Sequence, residues 1–322
     1  MPDAVQNKPI LVIDGLNSFM RHYCANPTMS ENGEPAGGFV GFLKSLGSLC
    51  NQFLPSQVVV VWESGGNQKR REISGGSYKD SRRPASLNRY YEDDIPNTRE
   101  NHNKQISLTI EALKCLPINQ IYVKDTEADD VIGYICHYKF KESNIVIVSS
   151  DRDLYQLISP RVKQWSLNQK KLIDEKEVIE KFGVTPQNFC VARSFIGDSS
   201  DSIDGVKGAG FKTMSKKFPE LSQEQFVSVD EIVSKAKILS EKSGATLFKS
   251  IIGGHEEAKK NWKLMHLDVS RLNGDQVKRV ETQLGTPRPQ ANKISLLRIL
   301  NRESLRTIDI DSTYASIKAT CS

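Results

Sequence analysis

The sequence predicts an α/β fold in which flanking helices cover a mostly parallel central sheet, and two observations carry this prediction. Continuous apolar runs at 10–13, 58–62 and 145–148 have the length and composition of buried strands. Helical periodicity separates them, as in the apolar positions of 39–49. Strands that alternate with helices pair in parallel, because each helix returns the chain to the starting edge of the sheet.

An acidic residue stands at or just past the end of each of these strands. Asp14 follows the first run, Glu63 follows the second and Asp151 closes the turn after the third. In open α/β sheets, ligands bind at the edge formed by the carboxyl ends of the strands. We therefore expect the three acids at a ligand-binding edge.

The later part of the chain is expected to be mainly helical. A turn predicts a short hairpin at 168–173, and Thr185-Pro186 is typical of a helix start, here predicting a helix to about Ile196. Residues 220–322 have the pattern of short amphipathic helices. We expect a division near residue 180, between an α/β region at 1–180 and a mainly helical region at 181–322.

A polar segment at 64–105 interrupts the α/β pattern. It has no sustained apolar stripe, and between residues 69 and 89 it carries seven basic side chains against two acidic ones. A segment of this length without an obvious contribution to the core is either functional or disordered. We expect it to be mobile in the absence of a ligand.

Composition excludes several classes of protein. The chain has 322 residues, its apolar runs are too short to span a membrane, and its first nine residues form no secretory signal. Six cysteines without a CxxC pair favour a reduced, cytoplasmic protein with no thiolate zinc site. The net charge of +5 permits binding to nucleic acid without arguing for it.

Nine acids stand where a parallel sheet would bring them to one edge. Each has an ordinary alternative role, since Thr126 or Asp151 could cap a helix and aspartate is common in turns. Clustered carboxylates repel unless cations neutralise them, and hard divalent ions such as Mg²⁺ prefer oxygen ligands. Two such ions can activate water and stabilise the leaving oxygen of a phosphodiester. The nine are Asp14, Glu63, Glu127, Asp129, Asp130, Asp151, Asp153, Asp198 and Asp201.

An ordered set of motifs resembles the phage and bacterial 5′-nucleases, or flap endonucleases, a family that includes the 5′-nuclease domain of DNA polymerase I and the T-even phage RNase H. Any one motif is weak, but their order and spacing hold over about 10–218. The motifs are Ile-Asp-Gly (13–15), Arg71 with Tyr-Lys-x-x-Arg (78–82), Glu-Ala-Asp-Asp-Val-Ile-Gly (127–133), Ser-x-Asp-x-Asp-Leu-x-Gln-Leu (149–157), Gly-Asp-Ser-Ser-Asp (197–201) and Gly-Val-x-Gly-x-Gly-x-Lys-Thr (205–213).

The resemblance implies a PIN-like nuclease core with two Mg²⁺ ions, for which Mn²⁺ can substitute. Asp14, Glu127, Asp129 and Asp130 match the acids of the first metal site. Asp198 and Asp201 match the second site, and Asp151 and Asp153 match acids that approach both. Glu63 departs from the family, which usually has the shorter Asp there, so its contact with metal is left open.

The resemblance also implies nucleic-acid contacts. The basic segment at 64–105 would be a helical arch whose Lys79 and Arg82 approach the scissile phosphate as catalytic cations, beside Arg71 and Tyr78. Residues 186–218 would form a helix–three-turn–helix, with a K⁺ ion held by the loop at 198–210. Its expected phosphate contacts are Lys207, Gly208, Gly210, Lys212, Thr213, Lys216 and Lys217. An unusual Asp204 in this loop is expected to weaken DNA binding slightly unless it points away.

The implied activity is that of a metal-dependent 5′→3′ exonuclease and flap endonuclease, a cytoplasmic monomer acting on branched or nicked duplex DNA and RNA–DNA hybrids, as in the removal of RNA primers during replication. Residues 220–322 match no motif, and they could support the loop or hold a partner such as a single-strand-binding protein. Two alternatives stay open. One is a PIN-type ribonuclease that prefers free single-stranded RNA, and the other is a catalytically silent DNA-binding module.

Overall fold

The apolar runs form neighbouring strands of one sheet in a computed structural model that describes residues 8–63, 65, 68–76, 98–306 and 309–320. The three strands predicted from the sequence are confirmed, and a hairpin forms at 162–173 where one was expected. Within the described residues the sheet has six strands, β1 (Ile10–Asp14), β2 (Gln57–Trp62), β3 (Asn119–Tyr122), β4 (Ile145–Val148), β5 (Val162–Ser166) and β6 (Lys171–Ile173).

The strand order is β3-β2-β1-β4-β5-β6, and every pair is parallel except the terminal hairpin β5–β6. In the central strand β1, alternate side chains enter two different cores, with Leu11 and Ile13 on one face and Ile10 and Val12 on the other. Both faces are buried because helices cover each of them, which explains the uninterrupted apolar runs.

Fourteen α-helices surround or follow the sheet in the described part of the chain. The predicted start at Thr185-Pro186 is confirmed, with Thr185 as N-cap and Pro186 at the first helical position. The helices are α1 (Gly15–Ala25), α2 (Gly37–Phe53), α3 (Gln68–Ser74), α4 (Arg99–Leu113), α5 (Ala128–Tyr134), α6 (Glu175–Phe182), α7 (Pro186–Ile196), α8 (Phe211–Lys217), α9 (Val229–Ser243), α10 (Thr246–Gly253), α11 (His255–Met265), α12 (Gly274–Gly285), α13 (Lys293–Arg302) and α14 (Asp311–Thr320).

The C-terminal helices return to the sheet. Leu296 and Ile299 of α13 and Ile317 of α14 are buried in the same core as α2. This core covers the face of β1 that carries Leu11 and Ile13. Leu272 and Val280 join the core on the opposite face. A separate apolar core lies within the helical region between Tyr155 and Ala258. The C-terminal region therefore contributes to each of these cores, two of which lie on the sheet. None of the helices described here has the length and apolar character needed to cross a membrane.

Both ends of 64–105 contain buried side chains, although the sequence shows no obvious contribution of this segment to the core. Arg70, in α3, is 4% exposed, and Gln105, in α4, is 1% exposed. Gln105 accepts a hydrogen bond from the N–H of Gly38 at 2.8 Å and donates to the carbonyl of Pro35 at 2.7 Å, so it fastens α4 to the start of α2. The expected mobility concerns mainly residues 77–97, which lie outside the described residues.

Candidate metal centre

Asp14 lies buried at the carboxyl end of β1, where it also caps α1. Its Oδ1 accepts the N–H of Asn17 at 3.1 Å, and its Oδ2 accepts the hydroxyl of Ser149 at 3.0 Å. Burial, and secondarily the charges of Asp151 and Glu63, raise the pKa of Asp14 to about 7. Asp14, Glu63 and Asp151 thus lie close enough for their charges to interact, as expected from the parallel pairing of the strands that they follow.

Asp151 lies between Asp14 and a second group of acids. Its Oδ1 accepts the N–H of Asp153 at 2.8 Å, which is the ordinary turn role that the sequence left open. Gln164, fully buried on β5, donates to the carbonyls of Ser149 and Asp151 at 2.9 and 2.7 Å. The turn after β4 is therefore fixed both by the Asp151 carboxylate and by the uncharged side chain of Gln164.

The second group consists of Asp153, Asp198 and Asp201. One carboxylate oxygen from each lies within 4.8 Å of the others. The oxygens around an octahedral Mg²⁺ ion are about 3 Å apart when adjacent and about 4 Å apart when opposite, given bond lengths near 2.1 Å. Hard oxygen donors at this spacing fit a divalent ion that keeps several waters.

Burial raises the pKa of Asp153 to about 7, with the charge of Asp151 as the next cause and with Asp198 and Asp201 adding to it, while Arg193 lowers it. Arg193, on α7, pairs with both Asp153, at 3.3 Å, and Asp198. The guanidinium therefore holds two of the three acids together in the metal-free protein.

The loop that carries Asp198 is closed by backbone contacts. Asp198 and Ile203 exchange two N–H···O bonds of 2.8 Å each. Gly197 has a φ of +79°, which favours glycine, and a Cβ on Gly205 would lie 1.9 Å from the carbonyl oxygen of Ile196. These glycines let the end of α7 and the return of the loop pack backbone to backbone.

A third group of acids opens α5. Glu127 is the N-cap residue, in place of Thr126, and Asp130 lies one turn on. Both are buried and pair with Arg70, whose Nη2 lies 2.8 Å from Asp130 Oδ1. Asp129 is on the same turn and is partly exposed. Arg70 of α3, which is not part of any of the sequence motifs, therefore stabilises Glu127 and Asp130.

An open cleft of about 760 Å³ lies beside Asp151 and Asp198. Its walls include Asn17 from α1, Asp151 and Arg193 beside the second group of acids, and Asp198 and Asp204 from the loop. The cleft lies at the carboxyl edge of the sheet, where a ligand was expected.

The expected nucleic-acid residues divide into two sets. Lys79, Arg82 and Tyr78 lie outside the described residues, whereas Arg71 is exposed on α3. Lys207, Lys212, Lys216 and Lys217 are all exposed on the loop and on α8, and Gly208, Gly210 and Thr213 lie among them.

Several residues that build this centre were not predicted to do so. Ser149 and Gln156 lie within one of the motifs, but their hydrogen bonds depend on the tertiary fold. Arg193 carried a weak signal, because it is the one charged residue of α7 and lies five positions before Asp198. The residues missed are Asn17, Arg70, Ser149, Gln156, Gln164, Arg193 and Asn261.

The raised pKa of Asp14 predicts a pH dependence of stability in the metal-free protein. A carboxyl whose pKa is about 7 when folded and 3.8 when unfolded stabilises the fold at low pH, and this contribution is lost as pH rises from about 4 through 7. Asp14→Asn removes this loss. Its free energy of unfolding relative to the wild type should therefore increase between pH 5 and pH 8, measured by urea denaturation in EDTA.

Titrating groups that do not interact with Asp14 contribute equally to both proteins and cancel in the difference. His22, whose pKa burial lowers to about 4, is one of these groups. A difference that stays constant across this pH range would contradict a raised pKa at Asp14.

Known proteins match the chain in both sequence and fold. Residues 9–183 match the family model described as "5′-3′ exonuclease, N-terminal resolvase-like domain". The 5′-3′ exonuclease of Bacillus subtilis (strain 168) is 30% identical over 246 residues, covering 73% of this chain and 76% of that protein. DNA polymerase I of Deinococcus radiodurans is 34% identical over 221 residues, covering 68% of this chain and 21% of the polymerase.

The fold is shared with a flap endonuclease of bacteriophage T5, solved as a pseudo-enzyme-product complex with DNA and metal ions. The TM-score is 0.69 at 18% identity, covering 86% of this chain and 98% of that chain. At this identity the likeness concerns the fold.

Proposed function

Since the chain belongs to the 5′-3′ exonuclease family, we propose that it is a divalent-metal-dependent 5′→3′ exonuclease and structure-specific flap endonuclease. It hydrolyses DNA, and RNA primer strands, at duplex junctions during replication. The observation that carries this proposal is the convergence of Asp153, Asp198 and Asp201 within 4.8 Å, beside a cleft lined by Asp151 and Asp198.

The proposed metal is Mg²⁺, two ions per site, with Mn²⁺ as a substitute. Asp14, Glu127, Asp129 and Asp130 would hold the first ion and Asp198 and Asp201 the second, with Asp151 and Asp153 near both. Glu63 contributes to the field at Asp14. When bound, these ions supply Lewis acidity for the activation of water and for the leaving oxygen. Arg70 and Arg193 hold the carboxylates together before the ions bind.

Two sets of basic residues position the substrate. Lys79 and Arg82 approach the scissile phosphate from the arch, where their charge stabilises the transition state, with Arg71 and Tyr78 beside them. Lys207, Lys212 and Lys216 contact duplex phosphates, together with Lys217 and the backbone around Gly208, Gly210 and Thr213, and a K⁺ ion sits in the 198–210 loop. Such contacts read the shape of the DNA rather than its sequence.

The surface charge agrees with this substrate. The chain has 44 Lys and Arg against 39 Asp and Glu, and setting the nine site acids aside leaves 30 acids and an excess of 14 positive charges. We propose a cytoplasmic monomer with a nuclease region at 1–180 and a mainly helical region at 181–322. Its substrates are branched or nicked duplex DNA and RNA–DNA hybrids, and its C-terminal region is a candidate site for a single-strand-binding protein.

The test is hydrolysis of end-labelled substrates by the purified chain, with Mg²⁺ and with EDTA. We expect cleavage of a 5′-flap DNA and of a nicked duplex near the junction only with the metal, leaving 5′-phosphate and 3′-hydroxyl ends. An RNA flap on a DNA template measures the proposed action on primers.

Two results would contradict the proposal. Preference for free single-stranded RNA over flaps would favour a PIN-type ribonuclease. Tight flap binding without turnover at any Mg²⁺ or Mn²⁺ concentration would favour a catalytically silent DNA-binding module.

A further inference from the structure

Asn261, on α11, joins the two ends of the loop that carries Asp198 and Asp201. Its side chain is 1% exposed, and its Nδ2 donates to the carbonyl of Ser194 at 3.0 Å and to that of Asp204 at 2.8 Å. Ser194 lies in the last turn of α7, before the loop, and Asp204 lies after Asp201. The side-chain amide of Asn261 therefore hydrogen-bonds the chain both before and after the two acids of this loop, and links it to α11.

The end of the same helix also holds the turn that carries Asp153. Gln156 Nε2 donates to the carbonyl of Asp153 at 2.7 Å and to that of Met265 at 3.0 Å, and its Oε1 accepts the N–H of Leu267 at 2.9 Å. The main chain of Asp153 is thus linked to residues 265–267 through one side chain.

The third group of acids is linked to α11 as well. Arg70 Nε donates to the carbonyl of Leu264 at 3.0 Å, while its other nitrogens pair with Glu127 and Asp130. Carbonyls in the last turn of a helix lack partners within the helix, and that end favours cations. The last turn of α11 therefore has acceptors suited to this arginine and to the amide of Gln156.

We propose that residues 261–267 are a positioning element for three acid-bearing segments, namely the loop with Asp198 and Asp201, the turn with Asp153 and the start of α5. Asn261 and Gln156 are the positioning residues for metal binding. The proposal rests on the proposed function and gives a role to part of the motif-free region 220–322. Divalent ions require ligands placed to within tenths of an ångström, and the acids come from segments far apart in the sequence. Because the end of α11 contacts all three segments, it fixes their positions relative to one another.

The test compares Asn261→Leu and Gln156→Met with the wild type by calorimetric titration of Mn²⁺ into the metal-free full chain, without DNA. Each variant keeps the size of its side chain and removes its hydrogen bonds. We expect Mn²⁺ affinity to fall about 10- to 100-fold, as for other residues that orient metal ligands. The kcat of Gln156→Met for flap cleavage should fall at low Mn²⁺ and recover at high Mn²⁺. Its KM for DNA should stay unchanged, because the hydrogen bonds of Gln156 go to Asp153, Met265 and Leu267 and not to the 198–210 loop.

Asn188→Leu is the matched control. Asn188 is also fully buried, and its Nδ2 donates to the carbonyls of Gln223 and Gln225 at 3.1 and 2.9 Å, away from the acids. This variant should lose stability but keep the Mn²⁺ affinity of the wild type. An equal loss of affinity in Asn188→Leu would show a general effect of destabilisation and overturn the proposal.

Wild-type Mn²⁺ affinity in both Asn261→Leu and Gln156→Met would overturn this proposal alone. If Asn261→Leu fails to fold, the half-buried Gln156→Met decides the matter by the same measurement. A wild type that neither binds Mn²⁺ nor hydrolyses the flap would overturn the proposed function, and this proposal with it.

Discussion

Asp151→Asn is expected to slow the turnover of flap substrates on the order of 10³-fold, because losing one ligand of a Lewis-acidic ion removes several kcal/mol of transition-state stabilisation. After burial, the charge of Asp151 is a further cause of the raised pKa of both Asp14 and Asp153. Asp151 therefore lies close to both of these acids. The measurement is single-turnover cleavage of a 5′-flap DNA at saturating enzyme in Mg²⁺.

The fold should survive this change. Asn keeps the Oδ1 that accepts the N–H of Asp153 at 2.8 Å, and the main chain of residue 151 is held independently by Ser149 and Gln164. Affinity for the flap should stay the same or rise, because one negative charge near the phosphates is removed. Fluorescence anisotropy in EDTA measures that affinity.

Asp174→Asn is the matched control. Asp174 caps α6 by accepting the N–H of Glu177 at 3.0 Å, which is the same kind of turn contact. It is not one of the nine acids of the proposed metal centre. Its rate of cleavage should equal that of the wild type. A wild-type rate for Asp151→Asn would remove this residue from the metal centre.

Local signals account for the parts of the fold that were predicted. Continuous apolar runs identified β1, β2 and β4, since strands buried on both faces have no polar positions. Their parallel pairing was enough to place Asp14 and Asp151 together. The resemblance to the 5′-nucleases is confirmed by the match over 9–183, and the predicted fold class by the sheet and by the T5 enzyme.

The parts that were missed depend on tertiary contacts. β3 contains Asn119 and Gln120, so its composition does not indicate a strand, and its pairing with β2 defines it. The local sequence does not indicate which of the consecutive residues Arg70 and Arg71 is buried. Only the approach of α3 to α5 and α11 buries the first against Glu127 and Asp130 and leaves the second exposed.

The role of residues 220–322 was open for the same reason. Amphipathic patterns predicted helices correctly there, but a pattern does not say which surface a helix covers. The structure places α13 and α14 on the core of the sheet and the end of α11 beside the acids. A buried asparagine such as Asn261 becomes informative only once its acceptors are known.

Arg193→Met should destabilise the metal-free protein by about 3–5 kcal/mol, the usual cost of removing one partner of a buried ion pair. The side chains of Arg193, Asp153 and Asp198 are 14%, 19% and 13% exposed, so solvent screens their charges only partly. Without the guanidinium, three carboxylates within 4.8 Å repel one another. The Tm in EDTA at pH 8 should fall by roughly 5 °C or more.

Divalent metal should restore much of this loss. An ion that binds only the folded state stabilises it by mass action, and in the variant it meets acids that no guanidinium occupies. The rise in Tm on adding Mn²⁺ should therefore be larger in Arg193→Met than in the wild type, and Arg193→Lys should be intermediate. Arg302→Met is the control, since its pair with Glu111 is 53% and 43% exposed and is worth at most about 1 kcal/mol.

The outcome separates two roles for Arg193. A counterion for Asp153 and Asp198 predicts a lower Tm without metal and a larger response to metal. A side chain that serves chiefly to contact a substrate phosphate predicts an unchanged Tm in EDTA, the same response to Mn²⁺ and weaker binding of the flap. The second result would mean that the acids relieve their repulsion by taking up protons, the direction in which burial and the neighbouring acids already shift the pKa of Asp153.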